Sequence, residues 1–431
     1  MSTSHAIRHI RITPIAFRDP PLLNAAGIHE PWALRSIIEI ETASGLLGIN
    51  ESYGDQPMLD ALAKAAPALV GLSPWALNEM ERRVAALVAP PAQTASEFLG
   101  QQVSLAPGTH VSKTVAKVVS AFEVAMLDLQ GQLARAPIVD LLGGAARSSV
   151  PFSAYLFYKY AEHIDRPYAP DARGEALTPA QLVAQARRMI DHYGFRSIKL
   201  KAGALPPEQE AAGMLALAEA FPGTPLRIDP NANWTVATSL NIVRQLRGVL
   251  EYYEDPAPGL DGMAAVAREC DVPLATNMVV TDYAEFRRNA DMGCPVKIVL
   301  SDHHYWGGLR ATQRLSTLCQ TFDLGLSMHS NSHLGVSLVA MTHLCASVPQ
   351  LTYACDTHYP WQDDEIVEGG RLQFEQGSLR VPTAAGLGVT LNSEALARLH
   401  DNYLRCGIRN RDDLAQMRKY DPSFTGKQPR F

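Results

Sequence analysis

The chain has 431 residues, 47% hydrophobic and 19% charged, a balance that excludes a disordered or coiled-coil protein. Its formal charge is −6, from 38 Lys and Arg against 44 Asp and Glu. No basic block is long enough to follow a phosphate backbone, so no nucleic-acid partner is expected. No run approaches the roughly 18 apolar residues of a membrane span. Met1 to His9 lacks the apolar core of a signal peptide, so no membrane association and a cytoplasmic location are expected.

Residues 7–17 begin with strand-like apolar spacing. Arg35 to Thr42 and Leu46 to Glu51, joined by Ala43-Ser44-Gly45, read as a β-hairpin. Between about 57 and 147 the pattern is helical, most clearly over Thr114 to Leu133, which has no internal proline. Beyond about 150, short β-branched runs alternate with helical segments. Thr178-Pro179, with Gln181 three residues after the threonine, marks a capped helix start. That helix is expected to run to about His192 and end at Gly194, ahead of a strand over Ser197 to Lys201. Further strands are expected at Leu226–Asp229, Leu250–Glu254, Leu274–Thr276, Val296–Leu300, Leu324–Met328 and Leu351–Ala354. The six cysteines are scattered without a CxxC pair and read as small buried hydrophobes, not as a disulfide or zinc framework.

Polar residues end these strands: Lys199, Asp229, Glu254, Asn277, Asp302, His329 and Asp356, at successive gaps of 30, 25, 23, 25, 27 and 27 residues. A strand, a turn, a three-turn helix and a return loop need about that length. The expected fold is α/β: a modified (β/α)8-type, TIM-like barrel whose chemistry lies at the strand ends. An open doubly wound sheet would gather ligands at one switch point, not along seven strand ends. The expected domains are an α+β capping domain over 1–147, the barrel over 148–385, and a segment over 386–431 that returns to the cap.

Lys199 and Lys201 are two apart on a strand and share a face. Such a pair is ordinarily a solvated edge, but here the strand belongs inside the repeat, where neighbouring ammonium groups would depress each other's pKa. Asp229, Glu254 and Asn277 offer three oxygen donors at consecutive strand ends, a set suited to Mg²⁺. Singly, Asp229 also reads as an Asx turn before Pro230 and Glu254 as a capping residue; the series favours the metal. Asp302 ends the strand next to that of His329, where a carboxylate would fix the imidazole tautomer. A lysine base, a His–Asp pair and a divalent metal together suit proton abstraction beside a carboxylate, followed by loss of an adjacent hydroxyl.

These residues resemble the enolase superfamily and, within it, the glucarate dehydratases. The matching strings are Pro21-Leu22-Leu23-Asn24, Gly27-Ile28-His29-Glu30-Pro31, Tyr155-Leu156-Phe157-Tyr158, Lys199-Leu200-Lys201, Asp229-Pro230-Asn231, Glu254-Asp255-Pro256 and Ala275-Thr276-Asn277-Met278. Asp302, His329-Ser330-Asn331, His333, Asp356-Thr357-His358 and Arg411-Asp412-Asp413 extend the match over nearly the whole chain. An asparagine as third metal ligand, Asn277, marks the glucarate dehydratase group.

The resemblance implies that Asp229, Glu254 and Asn277 bind Mg²⁺ and that Lys201 is one base, tuned by Lys199. It implies that His329, held by Asp302, is the base on the other face and the acid for the leaving hydroxyl. Asn24 and His29 from the cap would close over the distal end of a diacid sugar. Thr114, Tyr155, Phe157, Asn231, Ser330, Asn331, His358 and Arg411 match positions near the substrate. The implied reaction converts D-glucarate or L-idarate to 5-dehydro-4-deoxy-D-glucarate and water; another hexarate such as galactarate is the alternative. By analogy a homo-oligomer is expected. The sequence departs from the family at Ala202 and Ala232, where glycine is common, and at Gly335, where the family often has Asp. A zinc barrel hydrolase, suggested by His329 and His333, would need a His-x-His pair on the first barrel strand, over Pro151 to Phe157, which is absent. A non-enzymatic binding protein would have no reason to keep both bases and all three ligands.

Overall fold

The protein's structure is a computed structural model that describes residues 5–89, 113–165 and 171–431. The chain opens with β1 (Ile7–Arg18), a small hairpin of β2 (Leu23–Asn24) and β3 (Gly27–Ile28), then β4 (Trp32–Thr42) and β5 (Leu47–Tyr53). β1, β4 and β5 form an antiparallel sheet with β4 at its centre. β4 is buried along nearly its whole length, because helices cover both faces. On one side lies the helix Thr114–Ala134, where Asn50 Nδ2 donates to Ala121 O at 3.0 Å. On the other, the helix Ser393–Cys406 packs on β1, with Asn402 Nδ2 donating to Ala16 O at 3.2 Å. The expected helical region is present as Gln56–Ala65, Leu77–Val88 and Thr114–Ala134; its stretch 90–112 lies outside the described residues.

After the short β6 (Ser149–Pro151), seven parallel strands follow: β7 (Ala154–Phe157), β8 (Ile198–Lys201), β9 (Leu226–Asp229), β10 (Leu250–Glu254), β11 (Leu274–Thr276), β12 (Ile298–Ser301) and β13 (Gly325–Met328). Each hydrogen-bonds to its sequence neighbour in one curled sheet. The helix Pro179–Tyr193 starts at the expected capping box: Thr178 Oγ1 accepts from Gln181 N–H, and Gln181 Oε1 accepts from Thr178 N–H at 3.0 Å. Such a cap contributes about 1 kcal/mol.

Two strand expectations need correction. The strand expected over Val296–Leu300 is instead Ile298–Ser301, because the Asn289 amide pairs with both backbone groups of Val296 at 3.1 Å and removes it from the ladder. Leu351–Ala354 is no regular strand; the chain there crosses between two partners. Thr352 N–H and Asp356 N–H donate to Leu326 O and Met328 O of β13, while Cys355 exchanges bonds with Pro151 O and Ser153 N–H. These bonds join the two edges of the sheet and close the barrel.

The cap meets the barrel and the chain's last helices through close contacts. Gly27 has φ +149°, and a Cβ there would lie 2.3 Å from the backbone oxygen of Asp413, so glycine lets the β2–β3 hairpin dock on the helix Asp413–Tyr420. On the other side, Glu123 Oε2 accepts the Leu309 N–H at 2.6 Å, at the start of the barrel helix Leu309–Thr321. Its Oε1 has no hydrogen-bond partner among the described residues. Burial pushes this carboxyl up to about 7, against the weaker downward pull of Arg310. A raised folded-state pKa means that the unfolded chain ionises first, so Glu123 subtracts stability as pH rises from about 4.5 to 7, by about 1.4 kcal/mol per pH unit. Thermal melts of Glu123→Gln should therefore fall less between pH 5 and 7.5 than those of the unaltered protein. An equal fall in both would show that Glu123 does not carry this proton.

Candidate active site

The candidate residues sit at the C-terminal ends of the barrel strands. Phe157, Lys201 and Asp229 end β7, β8 and β9 and lie side by side in register. Glu254 ends β10, while Asn277, Asp302 and His329 each follow the last residue of β11, β12 and β13. Alternation along β8 turns Lys199 and Lys201 to the same side, and both are buried.

These ends open on a cavity of about 430 Å³. Lys201, Asn231, Asn277, His329 and Asn331 line it from the barrel, with Tyr155, Phe157 and His358 as an aromatic group; Asn24, His29 and Arg411 line it from the cap and the C-terminal segment. Lys199, Asp229, Glu254, Asp302 and Ser330 lie behind this lining, each within reach of a residue or carboxylate that forms it. Thr114 begins the helix Thr114–Ala134, half-buried, and is not among the described residues lining the cavity. A larger hollow of about 700 Å³ lies at the opposite strand ends and contains none of these groups. Its buried Arg227 is already paired with Glu251, Ser153 and the Ala354 carbonyl.

Lys199 Nζ lies 2.6 Å from both Glu254 Oε2 and Asp356 Oδ2, and 3.4 Å from Asp229 Oδ2. Burial pulls its pKa down, but the Asp356 and Glu254 carboxylates outweigh that and hold it well above the usual lysine range. The expectation that neighbouring ammonium groups depress each other thus fails for Lys199, because carboxylates surround it more closely than Lys201 does. Lys201 Nζ donates to Asp229 Oδ2 at 2.7 Å and to Asn231 Oδ1. Asn231 and Ala232 both adopt left-handed backbone, at φ 54° and 59°, a conformation strained for alanine, where the family often has glycine.

The acidic groups here outnumber the basic ones: Asp229, Glu254, Asp255 and Asp356 cluster about Lys199 and Lys201. Burial, and next the charge of Asp229, push the Glu254 carboxyl well above its ordinary range. Glu254 Oε2, close as it is to Lys199, makes no hydrogen bond among the described residues. Ligand atoms of Asp229, Glu254 and Asp255 lie within 4.8 Å of one another. Asp255 is already occupied, accepting from Thr276 Oγ1 and from the Asn277 N–H at 2.9 Å, and so fixes the turn that carries Asn277. Asn277 Nδ2 donates to Glu254 Oε1 at 2.9 Å. An excess of buried oxygen donors of this kind fits a hard divalent cation held by Asp229, Glu254 and Asn277.

His329 Nδ1 lies 3.2 Å from Asp302 Oδ2. Burial alone would raise the Asp302 carboxyl, but His304 and His329 hold it well below the usual range. At the cap end, Arg411 makes a two-point pair with Asp413 at 2.7 and 2.6 Å, and Asn24 Nδ2 donates to Asp413 at 2.7 Å. His29 Nδ1 lies 3.0 Å from Asp19, which also accepts from Ser332 and Gln362. Burial, with His29 and His329 nearby, holds His358 well below the usual histidine range. Sequence reasoning missed Asp19, His304 and Asp413 as supports of this site and assigned no role to Asp356. Asp356 carried a signal in its place in the strand-end series and Asp413 in the matched string Arg411-Asp412-Asp413; Asp19 and His304 carried none.

Residues 181–395 match the family described as Enolase C-terminal domain-like. The chain is 48% identical over 437 residues to a probable glucarate dehydratase of Streptomyces coelicolor, covering 100% of each. The chain belongs to the enolase superfamily. Among solved members of the superfamily, an enolase from Pseudomonas fluorescens with bound magnesium, potassium and tartrate superimposes with TM-score 0.94 at 56% identity, over 99% of each chain. An enolase from Thermobispora bispora complexed with magnesium and formate gives TM-score 0.93 at 53% identity, over 99% of this chain and 100% of that one.

If the carboxyl cluster holds a divalent cation, Mg²⁺ should raise the melting temperature of this enolase-superfamily chain in a concentration-dependent way, with a gain in unfolding free energy of about 2.7 kcal/mol at a hundredfold excess over Kd. Glu254→Gln should abolish that rise while the protein still melts cooperatively. A Mg²⁺-dependent rise retained in the variant would exclude Glu254 as a ligand.

Proposed function

We propose that the chain is a Mg²⁺-dependent acid-sugar dehydratase that converts D-glucarate, and its epimer L-idarate, to 5-dehydro-4-deoxy-D-glucarate and water. The observation that carries this reading is that Lys201 and the His329–Asp302 pair face one cavity, above a cluster of buried oxygen donors. β9 to β12 separate the two candidate bases along the sheet, so they approach a bound substrate from different walls. The full-length likeness to a probable glucarate dehydratase supports the choice of substrate.

The α-proton of a carboxylate is very weakly acidic, and Mg²⁺ held by Asp229, Glu254 and Asn277 would supply positive charge against the negative charge that develops when it is removed. Lys201 takes the proton on one face of the substrate. His329 takes it on the other, with Nδ1 held by Asp302 and Nε2 bare. The electron pair left on carbon then expels the hydroxyl of the next carbon, which leaves as water with a proton from His329 Nε2: the proton just taken where His329 is the base, or one already carried on Nε2 where Lys201 is the base. Lys199 stays protonated among its carboxylates and contributes fixed positive charge near the reacting carboxylate.

The distal carboxylate meets Asn24, His29 and Arg411. Arg411 uses Nε and Nη2 on Asp413, which leaves its Nη1 edge for the substrate. The pairs Arg411–Asp413 and His29–Asp19 hold these donors in place before substrate arrives.

Lys201→Ala and His329→Ala should each lower dehydration by at least about 100-fold and keep the Mg²⁺-dependent rise in melting temperature. Turnover retained in both variants would refute the assigned bases. Across a panel of hexarates, D-glucarate should be turned over faster than galactarate; equal or slower turnover would move the assignment to another diacid.

A further inference from the structure

Behind the His329–Asp302 pair lies a second histidine that the proposed reaction leaves unused. His304 is buried in the short helix His303–Trp306, and its Nδ1 lies 2.7 Å from Asp302 Oδ1, the oxygen not facing His329. The His304 Nε2 lies 2.8 Å from an Nη2 of Arg35 and 3.2 Å from Ser337 Oγ. Arg35 comes from β4 of the cap and is itself buried, with Nε donating to Glu51 Oε1 at 3.1 Å.

A guanidinium keeps its protons and can only donate. The His304 nitrogen facing it therefore carries a lone pair, and the ring's single proton is on Nδ1. That proton goes to Asp302 Oδ1, which also accepts the His304 backbone N–H at 2.9 Å. Ionised Asp302 has only acceptors, so the contact from its Oδ2 to His329 requires the proton on His329 Nδ1. The nitrogen of His329 left bare is then Nε2, on the side of the ring away from Asp302.

We propose that Arg35 and His304 are positioning residues: through Asp302 they fix the tautomer and ring orientation that make His329 Nε2 the proton acceptor. The proposal rests on the dehydratase reading for its catalytic consequence, but not for the tautomer itself. Asp302, His303 and His304 also lie close enough to hold a metal ion, but both His304 nitrogens are already engaged, Nδ1 with Asp302 and Nε2 with Arg35. Lys201 is outside this chain of contacts, since its Nζ rests on Asp229 and Asn231. Damage at His304 should therefore reach one base and spare the other.

Two measurements test this on the full chain. Long-range ¹⁵N–¹H correlation of histidine-labelled protein, with His304 assigned by its loss in His304→Asn, should show protonated Nδ1 and bare Nε2 at His304. A protonated Nε2 there overturns the proposal. Exchange of the α-proton in D₂O is then followed for D-glucarate and L-idarate, with the face each epimer uses assigned by His329→Ala and Lys201→Ala. His304→Leu should slow exchange on the His329 face tenfold or more and leave the Lys201 face within twofold. His304→Asn keeps a donor in the Nδ1 place and should recover most of the loss. Equal losses on both faces, or none on the His329 face, overturn the proposal. If the unaltered protein exchanges neither epimer, the dehydratase reading fails, and the nitrogen resonances alone decide the tautomer.

Discussion

Lys199 carries a charge that reaches no solvent, and the strand ends around it exist in their observed arrangement because they neutralise it. Its ammonium touches carboxylates from β9, from β10 and from the segment that closes the barrel. A buried charge without partners costs several kcal/mol, and so do three carboxylates crowded together without a cation. Each side of the cluster therefore makes the other tolerable. The same residue that closes the ring through its backbone, Asp356, supplies one of the counter-charges through its side chain. Closure of the barrel and neutralisation of the site are thus one structural event, and Lys201, two residues on, is left to face the cavity.

The cap end follows a different rule. Each donor there has a dedicated acid, in the pairs Arg411–Asp413 and His29–Asp19, and both acids and His29 are buried while Arg411 is half-buried. They orient N–H donors instead of storing charge, which suits recognition of a second carboxylate at a distance from the reacting one. The cavity thus has a chemically active floor and a geometrically defined roof, built from opposite ends of the chain.

How much of this was legible in the sequence depends on the range of the contact. The βα repeat sets a regular interval, so Lys201, Asp229, Glu254, Asn277, Asp302 and His329 could be placed at strand ends from spacing alone. Partners that come from elsewhere in the chain have no such signal. Asp413 meets Asn24 across 389 residues and Arg35 meets His304 across 269; nothing local shows that these residues are partners. Leu351–Ala354 has the apolar pattern of a strand, but its hydrogen bonds are split between two partners, and pattern cannot show that. The raised pKa of Lys199 was missed for a related reason: the lysine beside it is visible in the sequence, whereas the carboxylates of Glu254 and Asp356 are brought in only by the fold.

Glu51 on β5 extends this dependence between the two halves. Its two oxygens accept the N–H groups of Leu334 and Ser337 at 2.9 and 3.0 Å, at the start of the wholly buried barrel helix Gly335–Ser347, which has no side-chain cap of its own. The helix following the His329 loop is thus terminated by an acceptor from the far end of the polypeptide. Chimeras that graft one relative's cap onto another's barrel would have to transplant Glu51 and Arg35 together with the groups they serve. Otherwise two amides are stranded in a dry interior near the His329 loop, so the cap of this molecule is not a detachable module.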